Sequence, residues 1–506
     1  MTETTAVPST GAAPAPSSRV DTRFAGWHCA QPGTFKLLEP PGKRPKFSWL
    51  RPSVLWAARN DPLARLLDDP TDAIRARWVA SQRERGVDPE FRVDRSDLGD
   101  TYSCIVMGDT GEGDHSQYAV VPGLLKASAG TAFLTVLSDV IYPIGNTNEY
   151  VDKFFRPYKD YDAPIYALPG NHDWYDGLGG FMRHFCDADT LPDERLPGRG
   201  VRARLRDLLW RKPSALLPDT LDRCRDLRPA PTQRATLPAP YWTIDTPSVR
   251  FVAIDTGIRG NIDGEQGDWL RRVSTDDPRP KILLTGKPLY VDDEHHPGLV
   301  AGRDFTVDDV VRDPAANYVA AIGGDIHNYQ HYPVRVDDRT IHYVVSGGGG
   351  AFMHATHTIP KVSVGGVSED EFRCYPLRGD SLAFYSRLYS RKLAFGTKLL
   401  EIPPEQASAL VAARCRMQTT RGGVARPTLA TRLKGLVVGL LPSGRTFHKY
   451  VSEFADWDDP PLFKSFLRLD VTRDSLRVRC FAATGCLEQE LEPPVEDDFT
   501  IPLERR

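Results

Sequence analysis

The sequence of 506 residues lacks any apolar run long enough to cross a membrane. Its longest apolar candidate in the C-terminal half, residues 436–441, falls far short of the roughly 20 residues that a membrane-spanning helix needs. Residues 1–18 are rich in Ala, Pro, Ser and Thr, and they have neither the basic start nor the apolar centre of a secretory signal. We therefore expect a flexible tail at residues 1–26 and a cytoplasmic protein without a membrane span.

Closely spaced cysteines and a large net charge are also missing. The eight cysteines are scattered with no Cys-x-x-Cys pair, which favours reduced thiols over a disulfide framework or a zinc cluster. The formal net charge of -3 provides no general attraction to nucleic acid or to an anionic membrane. Because the sequence shows no internal repeat and no nucleic-acid-binding motif, we expect no nucleic-acid partner.

Four short apolar runs, in contrast, end in residues that can bind metal ions. The polar ends of these runs occupy residues 108–111, 138–142, 170–173 and 323–327. Short apolar runs closed in this way are typical of buried strands in an α/β sheet, where ligands gather at the carboxyl ends of the strands. A single aspartate at such an end is usually a turn or a helix cap, whereas four ends in one chain predict a metal centre.

The most informative of these ends is the sequence Gly-Asn-His-Asp at residues 170–173. An amide, an imidazole and a carboxylate in consecutive positions are a poor choice for packing a core, because each buried polar group needs its own partner. They are a good choice for binding a metal ion and a phosphate group. The stretch Ser-Gly-Gly-Gly-Gly at residues 346–350 lacks the lysine of a P-loop, so we favour close packing beside the site over a phosphate cradle.

The ordered set of motifs resembles the calcineurin-like metallophosphoesterases and, within them, the purple acid phosphatases. The family's opening Asp-x-His appears here as Asp109-Thr-Gly. In the purple-acid branch a tyrosine three residues after the second aspartate replaces that histidine, and Tyr142 stands at this spacing from Asp139. The Gly-Asn-His-Asp motif matches at residues 170–173, and the closing Gly-His-x-His motif matches in part at residues 324–327.

The resemblance implies an α/β fold in which two packed sheets are flanked by helices, a four-layer α/β/β/α sandwich with an N-terminal helical segment and a C-terminal extension. Helical spacing of apolar residues at 54–67 and 71–85 predicts helices that pack against this core. Alternating residues at 466–471 and 476–481 predict a terminal β-hairpin that extends a core sheet. The predicted regions are a tail at 1–26, a helical segment at 27–98, the metallophosphoesterase core at 99–360 with an insertion at about 190–240, and a C-terminal region at 361–506.

Two interpretations of the insertion are open. It is rich in Arg and Pro and follows the Gly-Asn-His-Asp motif closely, so it could cover the site and present arginines to a phosphorylated substrate. Alternatively, it forms a basic amphipathic surface helix with Trp210 docked on the core.

The resemblance implies two divalent or mixed-valence metal ions that clamp the attacking and leaving oxygens at phosphorus and activate a water. By resemblance, Asp139 bridges the ions, and Asp109, Tyr142 and His327 complete the first site. A phenolate ligand favours ferric iron, while manganese and zinc stay open. His172 would orient or protonate the leaving group, and Asp173 would hold that histidine.

The second metal site departs from the family pattern at two positions. Gly286 stands where a histidine is expected, and Asp325 stands in place of the first histidine of the closing pair. The site would keep Asp139, Asn171 and the Asp325 carboxylate. Lys287 could supply positive charge in place of a metal, although a solvated lysine is the more ordinary role. The other candidates, whose ordinary roles are loop or helix-cap residues, are Asp114, His115, His295, His296, His354 and His357.

These inferences predict a metal-dependent phosphoesterase that acts on a small phosphorylated substrate, with a phosphomonoester favoured over a diester. The alternative is a phosphate-ester or nucleotide binding protein that has a degraded second metal site and no turnover. The oligomeric state is left open by the sequence.

Overall fold

The computed structural model describes residues 51–188, 196, 198–415, 426–440, 461–486 and 492–504. In this part of the chain, two large β-sheets pack together with helices on their outer faces, which confirms the predicted α/β sandwich. The predicted tail at residues 1–26 lies outside the described residues. The predicted domain boundaries stay predictions.

The strands and helices of the described residues are numbered in chain order. The strands are β1 Arg92–Asp94, β2 Tyr102–Met107, β3 Phe133–Val136, β4 Ile165–Ala167, β5 Trp242–Asp245, β6 Arg250–Ile254, β7 Lys281–Thr285, β8 Tyr290–Val291, β9 Glu294–His295, β10 Tyr318–Gly323, β11 Tyr329–Val336, β12 Arg339–Ser346, β13 Arg373–Tyr375, β14 Lys464–Val471, β15 Ser475–Ala483 and β16 Val495–Pro502. The α-helices are α1 Pro52–Ala57, α2 Asn60–Leu67, α3 Thr71–Glu84, α4 His115–Ala127, α5 Asn171–Trp174, α6 Gly179–Phe185, α7 Gly200–Leu209, α8 Thr220–Leu227, α9 Gly264–Thr275, α10 Val307–Arg312, α11 Arg378–Lys392, α12 Pro404–Cys415 and α13 Leu429–Leu440. Short 3-10 or π-helical turns lie at Thr147–Glu149, Val151–Phe155, Pro231–Gln233, Pro314–Ala316 and Val364–Gly366.

The two large sheets meet face to face through aromatic side chains. One sheet has the order β16-β15-β14-β2-β3-β4 and the other β1-β5-β6-β7-β10-β12-β11-β13, while β8 and β9 form a separate hairpin. Phe133 of β3 contacts Phe251 of β6 edge to face, with ring centroids 5.7 Å apart. Helix α4 packs on β14 and β15, and α9 packs on β6, so each sheet has a helical outer layer. The interior between the sheets is therefore one continuous apolar core.

The C-terminal hairpin forms as predicted and becomes part of the core. Strands β14 and β15 pair antiparallel, and β14 also pairs antiparallel with β2, with Leu467 opposite Val106. Strand β16 extends the same sheet. Because β14 covers one edge of β2, the strand that leads into the first motif lies inside the sheet with both edges paired.

The N-terminal helices pack on the core, as predicted from their spacing. Helix α3 spans Thr71–Glu84, while the segment predicted at 54–67 is divided into α1 and α2. The α3 side chain of Arg75 is fully buried and donates to Asp255 Oδ2 at 2.8 Å and to Asp263 Oδ2 at 2.7 Å. Asp255 Oδ1 in turn accepts a hydrogen bond from Trp174 Nε1, so this ion network joins α3 to the residue that follows the Gly-Asn-His-Asp motif.

The expectation of reduced thiols is wrong for one cysteine. Cys486 is disulfide-bonded, whereas the cysteines described as free thiols are Cys104, Cys186, Cys224, Cys374, Cys415 and Cys480. Because disulfides are typical of oxidising compartments, the predicted cytoplasmic location loses the support of the thiols and stays a prediction. Across the described residues, every helix is too short or too polar to cross a bilayer.

Candidate metal centre

Three parallel strand ends bring the first motifs side by side. Strands β2, β3 and β4 are neighbours in parallel, with Met107 opposite Val136 and Val136 opposite Ala167. Each strand is followed within a few residues by a polar side chain, and these are Asp109, Asp139 and Asn171. Because the carboxyl ends of neighbouring parallel strands share one edge of a sheet, these side chains lie together.

The second sheet contributes the predicted ligands Asp325 and His327 after β10, and Lys287 follows β7. Thr285 lies opposite Gly323 in the parallel register of these strands. Lys287 and Asp325, each two residues further along, are therefore neighbours. The backbone N–H of Asp325 donates to Asp109 Oδ2 at 2.9 Å, which joins the polar ends of the two sheets.

Four donor atoms converge at the first predicted metal position. Tyr142 Oη lies 3.0 Å from Asp109 Oδ1, 3.0 Å from Asp139 Oδ2 and 3.0 Å from His327 Nε2. His327 Nε2 lies 3.5 Å from Asp109 Oδ1. Ligand atoms that bind one ion at about 2.1 Å and at right angles are about 3.0 Å apart, so this spacing fits a shared metal ion. All four side chains are buried.

The hydrogen bonds of His327 orient its ring for metal binding. Its Nδ1 lies 2.6 Å from the Phe352 carbonyl oxygen, so Nδ1 carries the proton and donates. The lone pair of Nε2 then faces Tyr142 and Asp109. Metal-binding histidines usually donate their other ring N–H in this way, which fixes both the tautomer and the ring. The ring also stacks on His354 at a centroid distance of 4.2 Å.

The backbone around the centre is strained and closely packed. Asp109, Asp139 and Asp325 adopt positive φ angles of 60°, 35° and 66°, a conformation that non-glycine residues rarely adopt. A Cβ atom on Gly170 would lie 2.0 Å from Asp139 Oδ1. Only glycine at this position allows the carboxylate to approach the chain so closely.

The glycine-rich stretch at residues 346–350 packs beside the first motif, as we favoured from the sequence. A Cβ atom on Gly347 would lie 2.2 Å from Ile326 O, and one on Gly349 would lie 2.4 Å from Gly108 O. The backbone N–H of Gly349 donates to Gly108 O at 2.9 Å. The glycines therefore allow close contact between the end of β12 and the loop that bears Asp109.

The charges of the centre lack a compensating cation among its own side chains. Burial, with added repulsion from Asp139 and Asp325, raises the pKa of Asp109 well above its ordinary value. Burial and the carboxylates of Asp109 and Asp139 likewise raise the pKa of the Tyr142 phenol. Since a bound metal ion would stabilise the ionised forms of these groups, their protonation behaviour fits a cation site.

His172 lies beside this centre with one ring nitrogen bound to the backbone. Its Nδ1 is 2.8 Å from the Pro143 carbonyl oxygen, and its Nε2 is 3.9 Å from Asp139 Oδ2. The ring packs between Tyr142 and Tyr175, with centroid distances of 4.2 Å and 4.8 Å. This position suits a proton donor, because Nε2 faces the centre while Nδ1 donates to the carbonyl.

The Asp173 carboxylate accepts hydrogen bonds from the backbone and from Tyr150, and the role expected for it beside His172 stays a prediction. Asp173 Oδ2 accepts hydrogen bonds from the backbone N–H groups of Val140 and Gly170, both at 3.0 Å. Its Oδ1 accepts from Tyr150 Oη at 3.1 Å. Burial and the nearby Asp139 raise the pKa of Asp173 to about 8. Asp173 therefore clamps the loop that carries Asp139 to the Gly-Asn-His-Asp turn.

The residues predicted for the second metal ion have other partners. Asn171 Nδ2 donates to Tyr175 Oη at 2.8 Å, which turns its Oδ1 toward Lys287. Lys287 Nζ donates to Asp325 Oδ1 at 2.6 Å. A Cβ atom on Gly286 would lie 2.7 Å from Thr256 Oγ1. Sequence inspection did not identify Tyr175, which belongs to no motif, and it assigned no role to Thr256, although residues 255–257 resemble a segment of the family.

The other sequence candidates for this ion mostly take structural roles. Asp114 caps α4 by accepting from the backbone N–H of Gln117 at 3.3 Å, as its alternative interpretation predicted. His295 Nε2 lies 2.8 Å from Asp308 Oδ2. His354 Nδ1 accepts from the backbone N–H of His327, whereas His357 Nδ1 pairs with Ser381 Oγ at 2.9 Å. His296 lines the cavity above the centre with a half-exposed side chain.

A cavity of about 1250 Å³ lies beside the centre and is lined by Asn171, His172, Lys287 and Asp325. The N-terminal helices form part of its wall, through residues that the sequence analysis assigned only to packing. The insertion does not: none of its described residues lines this cavity, and Trp210 is buried against the core. Further lining residues are Leu55, Asp61, Pro62, Arg65, Arg259, Pro297 and Leu299.

One family model matches part of this chain. The family model for calcineurin-like phosphoesterases matches residues 102–215. A search of curated proteins finds no match.

Several solved structures are similar to this chain. A purple acid phosphatase from yellow lupin (Lupinus luteus) seeds has 12% identity and a TM-score of 0.36, covering 80% of this chain and 54% of that chain. This chain thus spans about half the length of the lupin protein. PhoD has 10% identity and a TM-score of 0.32, covering 81% of this chain and 72% of its own. The anchor of the inner membrane complex of Plasmodium has 11% identity and a TM-score of 0.31, and the match covers 50% of this chain and 74% of that chain.

Proposed function

We propose that this chain, a calcineurin-like phosphoesterase by its motifs and by the family match at residues 102–215, hydrolyses a phosphate ester with the help of a bound metal ion. The observation that supports this proposal is the convergence of four buried donor atoms on one point. These atoms belong to Asp109, Asp139, Tyr142 and His327. A buried cluster of this kind has little use in a core, because its charges would destabilise the fold without a cation.

The remaining residues of the site have distinct tasks in the reaction. A metal ion bound there would supply a Lewis acid and an activated water near neutral pH. Protonated His172 donates its Nε2 proton to the leaving oxygen as the bond between that oxygen and phosphorus breaks. Lys287 and the Asn171 side chain face the cavity and position the phosphoryl oxygens. Asp173 keeps the two motif loops in register without touching the substrate.

We propose a small phosphorylated substrate and favour a phosphomonoester, in line with the purple-acid pattern of Asp139 and Tyr142. The cavity volume of about 1250 Å³ leaves room for an organic group beyond the phosphate. Arg65 and Arg259 in its wall provide positive charge for further anionic groups. For the metal we propose iron, manganese or zinc, with the Tyr142 phenolate favouring ferric iron.

The deciding experiment is hydrolysis of p-nitrophenyl phosphate and bis-p-nitrophenyl phosphate after loading the protein with manganese, iron or zinc. We expect metal-dependent turnover that is faster with the monoester. Asp139→Ala should abolish it, whereas Asp304→Ala on the exposed surface should leave it unchanged. Turnover that survives in Asp139→Ala, or that is independent of metal, would contradict the proposal.

A binding protein without turnover is the alternative, and the Lys287–Asp325 contact is the observation that favours it. A protein of this kind would bind a metal ion and inorganic phosphate, and calorimetry would detect both. It would hydrolyse neither ester with any of the three metals.

A further inference from the structure

The ammonium group of Lys287 lies beside two of the residues predicted to bind a second metal ion. Its Nζ lies 2.6 Å from Asp325 Oδ1 and 3.5 Å from Asn171 Oδ1. The motif resemblance assigns Asn171 Oδ1 to the second ion, and the Asp325 carboxylate stands where the family has a histidine. Because an ammonium and a metal ion need the same lone pairs and repel each other, one of them excludes the other from this position.

The fold directs the Lys287 side chain to this point. The parallel register of Thr285 with Gly323 makes Lys287 and Asp325 neighbours at the two strand ends. The lysine stem passes Gly260, which has a φ of 90°, and a Cβ atom there would lie 2.8 Å from Lys287 Cδ. Only about a quarter of the side chain is exposed, at 26%. Lys287 is therefore held in place and is not a freely solvated surface lysine.

Residue 286, where the family has a histidine, also leaves no room for an imidazole. A Cβ atom on Gly286 would lie 2.7 Å from Thr256 Oγ1 and 3.4 Å from Pro169 O, so an imidazole at this position would begin in a steric clash. In the described part of the chain, His295, His354 and His357 each have other partners near 3 Å. The two departures from the family pattern, at residues 286 and 325, thus remove two nitrogen ligands, and Lys287 places its positive charge beside the Asp325 carboxylate.

We propose that the centre binds one metal ion, at Asp109, Asp139, Tyr142 and His327, and that the Lys287 ammonium takes the place of the second ion. This inference rests on the proposed function and specifies its chemistry. The ammonium offers three N–H donors to Asp325, Asn171 and a phosphoryl oxygen. It stabilises negative charge on the phosphoryl group as a second ion would. Unlike a metal ion, however, it cannot accept the lone pair of a water molecule and so activate that water as a nucleophile.

The first test counts metal ions per chain in the full-length protein. The protein is loaded with excess Mn²⁺, desalted and analysed by plasma mass spectrometry, in parallel with calorimetric titration. We expect one ion per chain and a single class of binding sites. Two ions per chain in the wild-type protein would overturn the inference.

The second test removes the ammonium. Lys287→Ala exposes the oxygens of Asn171 and Asp325, so we expect a second, weaker Mn²⁺ to bind. With only the first site loaded, its affinity for inorganic phosphate should fall by about 10- to 100-fold, because a charge-assisted hydrogen bond is lost. Lys287→Arg should keep one ion, and Lys126→Ala, at an exposed position, serves as the matched control. A Lys287→Ala variant with one ion and unchanged phosphate affinity would overturn the inference.

The two proposals fail in different ways. A wild-type protein with one ion and no turnover of either ester would contradict the proposed function and leave the ion count supported. A wild-type protein with two ions and clear turnover would overturn the inference about Lys287 and leave the proposed function intact.

Discussion

The phenol oxygen of Tyr142 lies 3.0 Å from Nε2 of His327, although 185 positions separate the two residues in the chain. Because His327 donates its Nδ1 proton to the Phe352 carbonyl, the lone pair of Nε2 faces the phenol. The phenol proton has three acceptors at 3.0 Å, namely Asp109 Oδ1, Asp139 Oδ2 and this nitrogen, and burial raises the pKa of the phenol. A metal ion at this point would displace that proton, so metal binding and proton release are linked.

We therefore expect Tyr142→Phe to weaken metal binding. The variant keeps the ring and removes one of the four donor atoms, so the affinity for the metal ion should fall at least about 10-fold. Fewer protons should be released on binding, which calorimetry in buffers of different ionisation enthalpy measures. Tyr318→Phe is the matched control, because Tyr318 is buried and bonded to Ser274 Oγ at 2.8 Å at the opposite end of β10. Equal metal affinity in Tyr142→Phe and wild type would exclude Tyr142 as a ligand.

We expect His172→Asn to slow hydrolysis without loss of the metal. General acid catalysis contributes about 10²- to 10⁴-fold, and this loss should be largest for esters with poor leaving groups. The rate with an alkyl phosphate should therefore fall more than the rate with p-nitrophenyl phosphate. His295→Asn removes a histidine whose partner is Asp308, so it should alter neither rate. An equal loss for both esters would show that His172 does not protonate the leaving group.

We expect Gly170→Ala to disrupt the metal centre. The added Cβ would lie 2.0 Å from Asp139 Oδ1 and 2.2 Å from the Asp139 backbone nitrogen, so the aspartate must move. Metal affinity should fall at least about 10-fold, as it does when the groups that orient ligands are lost. Gly99→Ala provides the control, because a Cβ there meets no atom within 4 Å. Metal titration of both variants would test this, and unchanged affinity in Gly170→Ala would show that the loop adapts.

We expect Arg75→Met to destabilise the protein strongly. The variant leaves the Asp255 carboxylate buried without its ion partner, which costs about 3–5 kcal/mol of unfolding free energy. Arg83→Met, on the same helix α3, removes an exposed pair with Glu265 and should cost at most about 1 kcal/mol. Urea unfolding of the two variants measures the difference. If both variants lost the same small amount of unfolding free energy, the buried ion network would not hold α3 on the core.

We expect Lys464 to make the stability depend on pH in the alkaline range. Burial lowers the pKa of its ammonium to about 8, whereas the unfolded chain binds that proton up to about pH 10.4. The unfolded state therefore holds more protons between these values, and the unfolding free energy should rise with pH across this window.

The test of this prediction is a comparison of slopes. Between pH 8 and 10.4 the unfolding free energy of Lys464→Met should rise less than that of the wild type, by up to about 3 kcal/mol. Denaturant unfolding at several pH values measures both curves, and the difference between them removes the titration of groups that do not interact with Lys464, as Glu112 does. Parallel curves would show that Lys464 keeps an ordinary pKa in the folded protein.

Much of the centre was predictable from motif spacing. Asp109, Asp139 and Asn171 follow short buried strands, and parallel neighbours place such ends together. The hydrogen bonds of Asp173 were not predictable in the same way. Several acceptors lie within reach of a residue in a tight turn, and only the folded positions of Val140, Gly170 and Tyr150 decide between them.

The sequence by itself determined the α/β class, the four strand ends that carry polar residues and the C-terminal hairpin, because these follow from local periodicity and from residue type. Only the tertiary structure decided where the Lys287 ammonium lies. A lysine two residues after a strand is usually solvated, and its direction here depends on the register of β7 with β10 and on the space that Gly260 leaves for its stem. The wall that Leu55 and Arg65 form over the cavity likewise depends on how the N-terminal helices dock. Contacts between distant segments arise from packing of the whole core, and local sequence patterns do not encode them.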